Sequence, residues 1–193
     1  TPLRSSAASD VYKRQNMSST SATVWTYSYA VPTGDGTGTI TLSAGADAQG
    51  NTINSTPSSG ATFTVDNTAP AVAITSSATG NDTTPTVSGT AEANASITAV
   101  IAGATYTTTA TGGTWSVDTG TATADSGTLS INANGTNSVS VTATDAATNT
   151  ATVTQTLTID TTDPAVAITS SALTKDTTPT VSGTAEANAS ITA

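Results

Sequence analysis

Residues 150–160 read TATVTQTLTID, and this stretch decides the fold class. Thr150, Thr152, Thr154, Thr156 and Thr158 alternate with Ala151, Val153, Gln155, Leu157 and Ile159. Successive side chains of a strand point to opposite faces, so one face is predicted to be buried and the other to carry hydroxyls in water. Threonine suits that outer face because its branched Cβ fits a pleated surface. Working outward, the same period of two recurs in short runs between turn signals. Val72 and Ile74 mark a strand ahead of a turn at Gly80-Asn81-Asp82. Val87 lies in the next, before a loop over Ala91-Glu92-Ala93-Asn94. Ile97, Val100 and Ile101 form another, Tyr106 and Thr108 the one after it, and Gly112-Gly113 turns into Trp115 and Val117. Leu129 and Ile131 precede Asn134-Gly135, read as a turn pair. Val139, Val141 and Ala143 alternate with polar residues up to a turn over Asp145–Asn149. No apolar stripe has the period of a helix. Seven or eight strands and no helix predict an all-β sandwich.

A long repeat sets the domain organisation. PAVAITSSATGNDTTPTVSGTAEANASITA at 70–99 returns at 164–193, an offset of 94, changed only at Thr79/Leu173, Gly80/Thr174 and Asn81/Lys175. Phe63-Thr64-Val65-Asp66 matches Leu157-Thr158-Ile159-Asp160 at the same offset. That period is too long for a solenoid coil and suits a β-sandwich of about 100 residues. The chain is therefore read as the C-terminal part of one domain (16–66), a complete domain (67–160) and the N-terminal part of a third (161–193).

Residues 1–15 are set apart. Residues 5–15 resemble a translated sequencing adapter, which makes 1–15 an expected non-native leader. Arg4, Lys13 and Arg14 lie in it, leaving Lys175 as the one basic residue beyond, against twelve carboxylates. That balance argues against nucleic acid and anionic membranes as partners. Low hydrophobicity with acidic charge is a disorder signal on paper, but the period-two patterning opposes it. Without Cys there is no disulfide or thiol chemistry, and without His the commonest general acid–base group is missing. Nearly every Asp sits in a turn beside Gly, Asn or Thr, where it caps backbone groups. No enzyme activity is expected. No apolar run approaches a membrane span.

VSGTAEANASITAVIAG (87–103), GGTWSVD (112–118) and VSVTATDAATNTATVTQTLTIDTTDP (139–164), in that order, resemble the bacterial immunoglobulin-like (Big) repeats of giant secreted adhesins and biofilm proteins. The resemblance spans 16–193. It implies tandem immunoglobulin-like sandwiches, one complete and two partial, in the stalk of an extracellular or cell-surface adhesin that carries a distal binding tip. Two positions depart from the pattern. The usual Asp-Ala-Ala-Gly-Asn turn reads Asp145-Ala146-Ala147-Thr148-Asn149, and Ala69 stands where the next linker has Asp163. The alternative is an accessory carbohydrate-binding or spacer module of a secreted hydrolase, which an exposed aromatic strip would favour.

Three further expectations concern sites. Trp25 and Trp115 occupy matching strand positions and are read as core aromatics, with a carbohydrate platform as the other reading. The Thr-x-Thr run at 150–158 invites comparison with ice-binding ladders, but is expected on only one strand per domain. Finally, the topology of such a sandwich brings linker and loops together at each junction. Asp66, Asn67, Glu92, Asp145 and Asn149 are expected to meet at the first, and Asp160, Asp163 and Glu186, with Asp82 approaching, at the second. Converging carboxylates repel unless neutralised, and hard oxygen ligands suit Ca²⁺; the resemblance points the same way, while turn-forming aspartates without metal are the other reading. The partners expected are neighbouring repeats, and a second copy of the chain through its incomplete terminal domains.

Overall fold

A computed structural model gives the architecture and describes residues 3–5, 17–21, 24–28, 34–42, 45–53 and 59–192. Most strand-like periods read in the sequence have their counterpart here, and among the described residues there is no helix. None is therefore long and apolar enough to cross a membrane. Before Asp66 lie β1 (Leu3–Ser5), β2 (Ser18–Ser19), β3 (Trp25–Thr26), β4 (Gly36–Ile40) and β5 (Thr62–Val65). Residues 67–160 carry β6 (Val72–Ile74), β7 (Thr79–Gly80), β8 (Thr86–Ala91), β9 (Ser96–Ile101), β10 (Ala104–Thr109), β11 (Thr114–Asp118), β12 (Ser126–Gly127), β13 (Asn134–Thr144) and β14 (Thr150–Asp160). Then come β15 (Val166–Ile168) and β16 (Gly183–Ala185).

In 67–160 a six-stranded sheet, ordered β12-β10-β9-β13-β14-β7, packs on a three-stranded one, β11-β8-β6. The first strand of this domain changes sheet midway. β6 pairs antiparallel with β8, whereas β7 runs parallel to β14. Gln155 holds the crossing by donating its amide to the Ser76 carbonyl at 3.2 Å, and the Thr158 N–H donates to the Ala78 carbonyl. Ile97, Ala99 and Ile101 of β9, Val139 and Val141 of β13, and Leu157 and Ile159 of β14 join Val87, Trp115 and Val117 of the smaller sheet in one buried cluster. Burying each of the larger aliphatic side chains contributes about 1.5–3 kcal/mol. The alternation along 150–160 is as expected: Leu157 and Ile159 are buried, and Thr150, Thr152, Thr154 and Thr156 are exposed.

Two local expectations are corrected. Leu129 and Ile131 are not in a strand, and Asn134-Gly135 is not the turn but the opening of β13. The reason is Asn137, which is buried. Its side-chain oxygen accepts the Asn132 N–H at 2.7 Å, and its amide donates to the Asn132 carbonyl at 3.1 Å, so the chain folds back one step earlier. The threonine ladder is also wider than one strand. Thr109, Ser96, Thr144 and Thr150 align across β10, β9, β13 and β14, and Thr107, Thr98, Thr142 and Thr152 form a second row. Sheet twist, about 20–25° per strand, keeps such a row from lying in one plane.

The flanking segments rebuild parts of this sandwich. Val166, Ala167 and Ile168 pair with Ala185, Thr184 and Gly183, the register of Val72, Ala73 and Ile74 with Ala91, Thr90 and Gly89. Val166, Ile168, Val181 and Ile191 are exposed there, whereas the counterparts of the last two, Val87 and Ile97, are buried. β4 and β5 pair as the matching ends of β13 and β14 do, Gly36 with Val65 and Gly135 with Ile159. Leu3–Ser5 lies along β4 as an edge strand, a contact made through the backbone and therefore indifferent to sequence.

Candidate functional site

Four of the residues expected to converge, Asp66, Asn67, Asp145 and Asn149, sit where the segment Asp66–Pro70 leads into residues 67–160. The turn after β13 closes on itself. The Asn149 N–H donates to Asp145 Oδ1 at 2.8 Å and its side-chain amide to Asp145 Oδ2 at 2.9 Å. Asp145 N–H donates to the Asn149 carbonyl, and Thr148 N–H to that of Asp145. Five residues thus form a closed ring of hydrogen bonds, with Thr148 forced to φ 73°. The first segment repeats the turn atom for atom in Asp47–Asn51: Asn51 bonds both Asp47 oxygens, and Gly50 takes φ 88° in the place of Thr148. The side-chain amide of Asn149 lies first among the causes holding the Asp145 carboxyl below its ordinary value of 3.8, burial opposing it, and Asn51 does the same for Asp47.

Asn149 also reaches outward. Its side-chain amide donates to the backbone carbonyl of Asp66 at 3.0 Å, tying the turn to the last residue of the preceding unit. From the other side the linker is held by Asp35, just ahead of β4. Asp35 Oδ1 accepts the Asn67 N–H at 2.6 Å, and its other oxygen accepts the Thr68 hydroxyl. The Asn67 N–H, foremost, and the Thr68 hydroxyl lower the Asp35 pKa. Asp66 Oδ1 accepts the Thr68 N–H at 3.0 Å.

The second linker has the same bracket. Asn134 Oδ1 accepts the Thr161 N–H at 2.9 Å and the hydroxyls of Thr161 and Thr162 at 3.1 Å, and Asp160 Oδ1 accepts the Thr162 N–H at 3.0 Å. Asp35 and Asn134 were missed in the sequence. Both stand in an Asx-Gly pair opening the matching strand, which is a readable signal. The segment joining that strand to the next is longer in the first unit, so an offset of 94 does not overlay them.

The structure thus brings together Asp66, Asn67, Asp145 and Asn149. Glu92 is exposed beside the start of β6, its N–H donating to the Ala71 carbonyl. Asp82 turns on its own chain, accepting the N–H and hydroxyl of Thr84, which lower its pKa in that order. Asp163 and Glu186 are exposed. Among the described residues no three acidic side chains stand close enough to share a metal ion. Calcium takes 6–8 oxygen ligands, whereas both Asp145 oxygens face amide hydrogens of Asn149. The residues as arranged do not fit a Ca²⁺ site; they fit a junction held by hydrogen bonds.

The two tryptophans part company. Trp115 is 4% exposed and donates its Nε1–H to the Thr90 carbonyl at 3.2 Å. Trp25 is 57% exposed, which corrects its reading as core. Trp115 lies opposite Gly89 of β8, whose missing side chain leaves room for the indole, whereas Trp25 lies opposite Ser19 of the two-residue strand β2 and its ring stays exposed. A shallow groove near Trp115 is lined by Thr75, Ser88, Thr90, Thr108, Thr114 and Ser116, hydroxyls with no ionisable group among them. Among the described residues the structure offers no assembly of general acid, base and nucleophile around it. No family model and no curated protein matches this chain.

Proposed function

We propose that this chain is a spacer segment from a tandem array of immunoglobulin-like sandwiches, the stalk of a secreted or cell-surface bacterial adhesin. One observation carries the reading: the linker bracket at Asp35 recurs at Asn134, at the same point of the repeat. A junction built twice to one design is what a string of modules needs, because each linker must hand the chain on in the same direction. The partners of such a module are the repeats before and after it. Acidic charge on the array, a net −9 for the chain, keeps it clear of nucleic acid and anionic surfaces.

The second reading, an accessory carbohydrate-binding module, draws on Trp25 and Tyr27, exposed and two residues apart. A retention assay on insoluble polysaccharides, run beside small-angle scattering, separates the two. The spacer reading expects an elongated particle that passes unretained. Retention abolished by Trp25→Ala would overturn it in favour of the accessory module.

A further inference from the structure

The turn Asp145–Asn149 has more hydrogen bonds than closure of a turn requires. Backbone bonds between Asp145 and Asn149, and from Thr148 to Asp145, already close it. The side-chain amide of Asn149 has two hydrogens, and the second goes to the carbonyl of Asp66, the residue that follows β5. That carbonyl comes from beyond the sandwich, 83 residues back in the chain. Asp35 holds the following two residues from the opposite side. Between Asp66 and Thr68 the linker is therefore gripped by the unit it leaves and by the unit it enters.

We propose that the Asp145–Asn149 turn is a docking socket for the end of the preceding repeat, with Asn149 as its pin, and that Asp35 and Asn149 together fix the angle between consecutive sandwiches without metal. This deepens the spacer reading and takes its purpose from it. The partner recognised is an extended strand end followed by an Asx/Thr-Thr pair: Asp66-Asn67-Thr68 here, Asp160-Thr161-Thr162 at the next junction. The socket reads a backbone carbonyl, so it tolerates change in the side chains presented to it. The bracket reads an N–H and a hydroxyl, which Asp35 and Asn134 can both accept; that explains why the two residue types interchange at this position. The second junction is an internal control. Its bracket at Asn134 holds the other linker, so a change there should not touch the first junction.

The absence of Cys in the chain allows a direct test. Spin labels at Thr64→Cys and Thr154→Cys, on exposed faces either side of the first junction, report the spread of interdomain distances by electron–electron resonance in dilute full chain. A single narrow distribution is expected. Asn149→Ala and Asp35→Ala should each broaden it at least twofold, while Asn134→Ala, which acts on the other junction, leaves it unchanged. Cooperative unfolding followed by Trp115 fluorescence confirms that the sandwich is intact. Should Asn149→Ala unfold the domain, Asp35→Ala decides alone, since Asp35 lies outside it. A parent distribution already as broad as the variants', or narrow distributions in both folded variants, overturns the socket. A broad parent that ignores polysaccharides would sink the socket and leave a flexible spacer; a narrow one retained on polysaccharide would do the reverse.

Discussion

Trp115 and Gly89 face each other across β11 and β8, and the indole occupies the space a side chain at Gly89 would need. A Cβ built there falls 2.7 Å from the ring's Cζ2 and closer still to the Ala73 carbonyl. Glycine at 89 lets β6, β8 and the tryptophan close over the core together.

Two substitutions follow from that contact. Trp115→Ala in residues 67–160 should lower unfolding free energy by about 3–5 kcal/mol, as for other buried aromatics. Gly89→Ala should cost about 1–3 kcal/mol through overpacking. Combining them should not restore stability, because the Ala73 carbonyl still blocks the added methyl. Denaturant titration reads all three, and a loss within about 0.5 kcal/mol for Trp115→Ala would place the ring on the surface.

Thr148 is a β-branched residue in the left-handed region, at φ 73°. Such a backbone costs a non-glycine residue about 1–2 kcal/mol, partly offset by the greater freedom glycine has when unfolded. Thr148→Gly should therefore stabilise the domain by about 0.5–1 kcal/mol, raising Tm by several degrees, roughly 4–8 °C per kcal/mol at this size. An unchanged or lower Tm refutes the strain.

Asp35, Asp47, Asp82 and Asp145 all have carboxyls held below the ordinary 3.8 by donated hydrogen bonds. A folded-state pKa below the unfolded one adds stability that is fully present above the unfolded value and lost as pH falls through the folded one. Tm should be flat at neutral pH and fall once pH drops below the ordinary aspartate range. The junctions should differ: the grip on the Asn67 N–H weakens in acid because Asp35 titrates, whereas the Thr161 N–H stays on Asn134, which does not. Amide exchange against pH at Asn67 and Thr161, whose N–H groups donate to Asp35 and Asn134, checks this, and equal acid loss at the two would contradict it.

Calcium offers a further check on Asn149. With its amide hydrogens on both Asp145 oxygens, millimolar Ca²⁺ should leave Tm where chelator leaves it. A calcium-dependent rise abolished by Asp145→Ala would mean that the amide swings out and the carboxylate turns to an ion.

Val166, Ile168, Val181 and Ile191 lie 62–75% exposed. Large apolar side chains exposed to this degree favour association. The chain should grow in mean mass with concentration in light scattering, while residues 67–160 remain monomeric. A contact of this kind joins two different surfaces and need not close, so it should give open chains rather than a closed dimer. A strictly monomeric full chain at high concentration would count against this.

What the sequence determined by itself is the all-β class and the repeat. Period-two patterning from Thr150 to Ile159 is a local property, and the 94-residue repeat needs no structure to be seen. Asp145 and Asn149 were legible as a turn for the same reason, four residues apart. Contacts between distant residues were not legible. That Trp115 is buried and Trp25 exposed depends on whether another strand covers the ring, and one-residue patterns say nothing of the neighbour. The buried Asn137 moved a turn away from Asn134-Gly135 because a polar group without water must find partners, and only the fold shows which. The grip on the linker joins Asp35 to Thr68 across 33 residues and Asn149 to Asp66 across 83. Tertiary structure alone decided that these aspartates face amides and hydroxyls instead of one another, because chain direction at the ends of the strands sets which oxygens can meet.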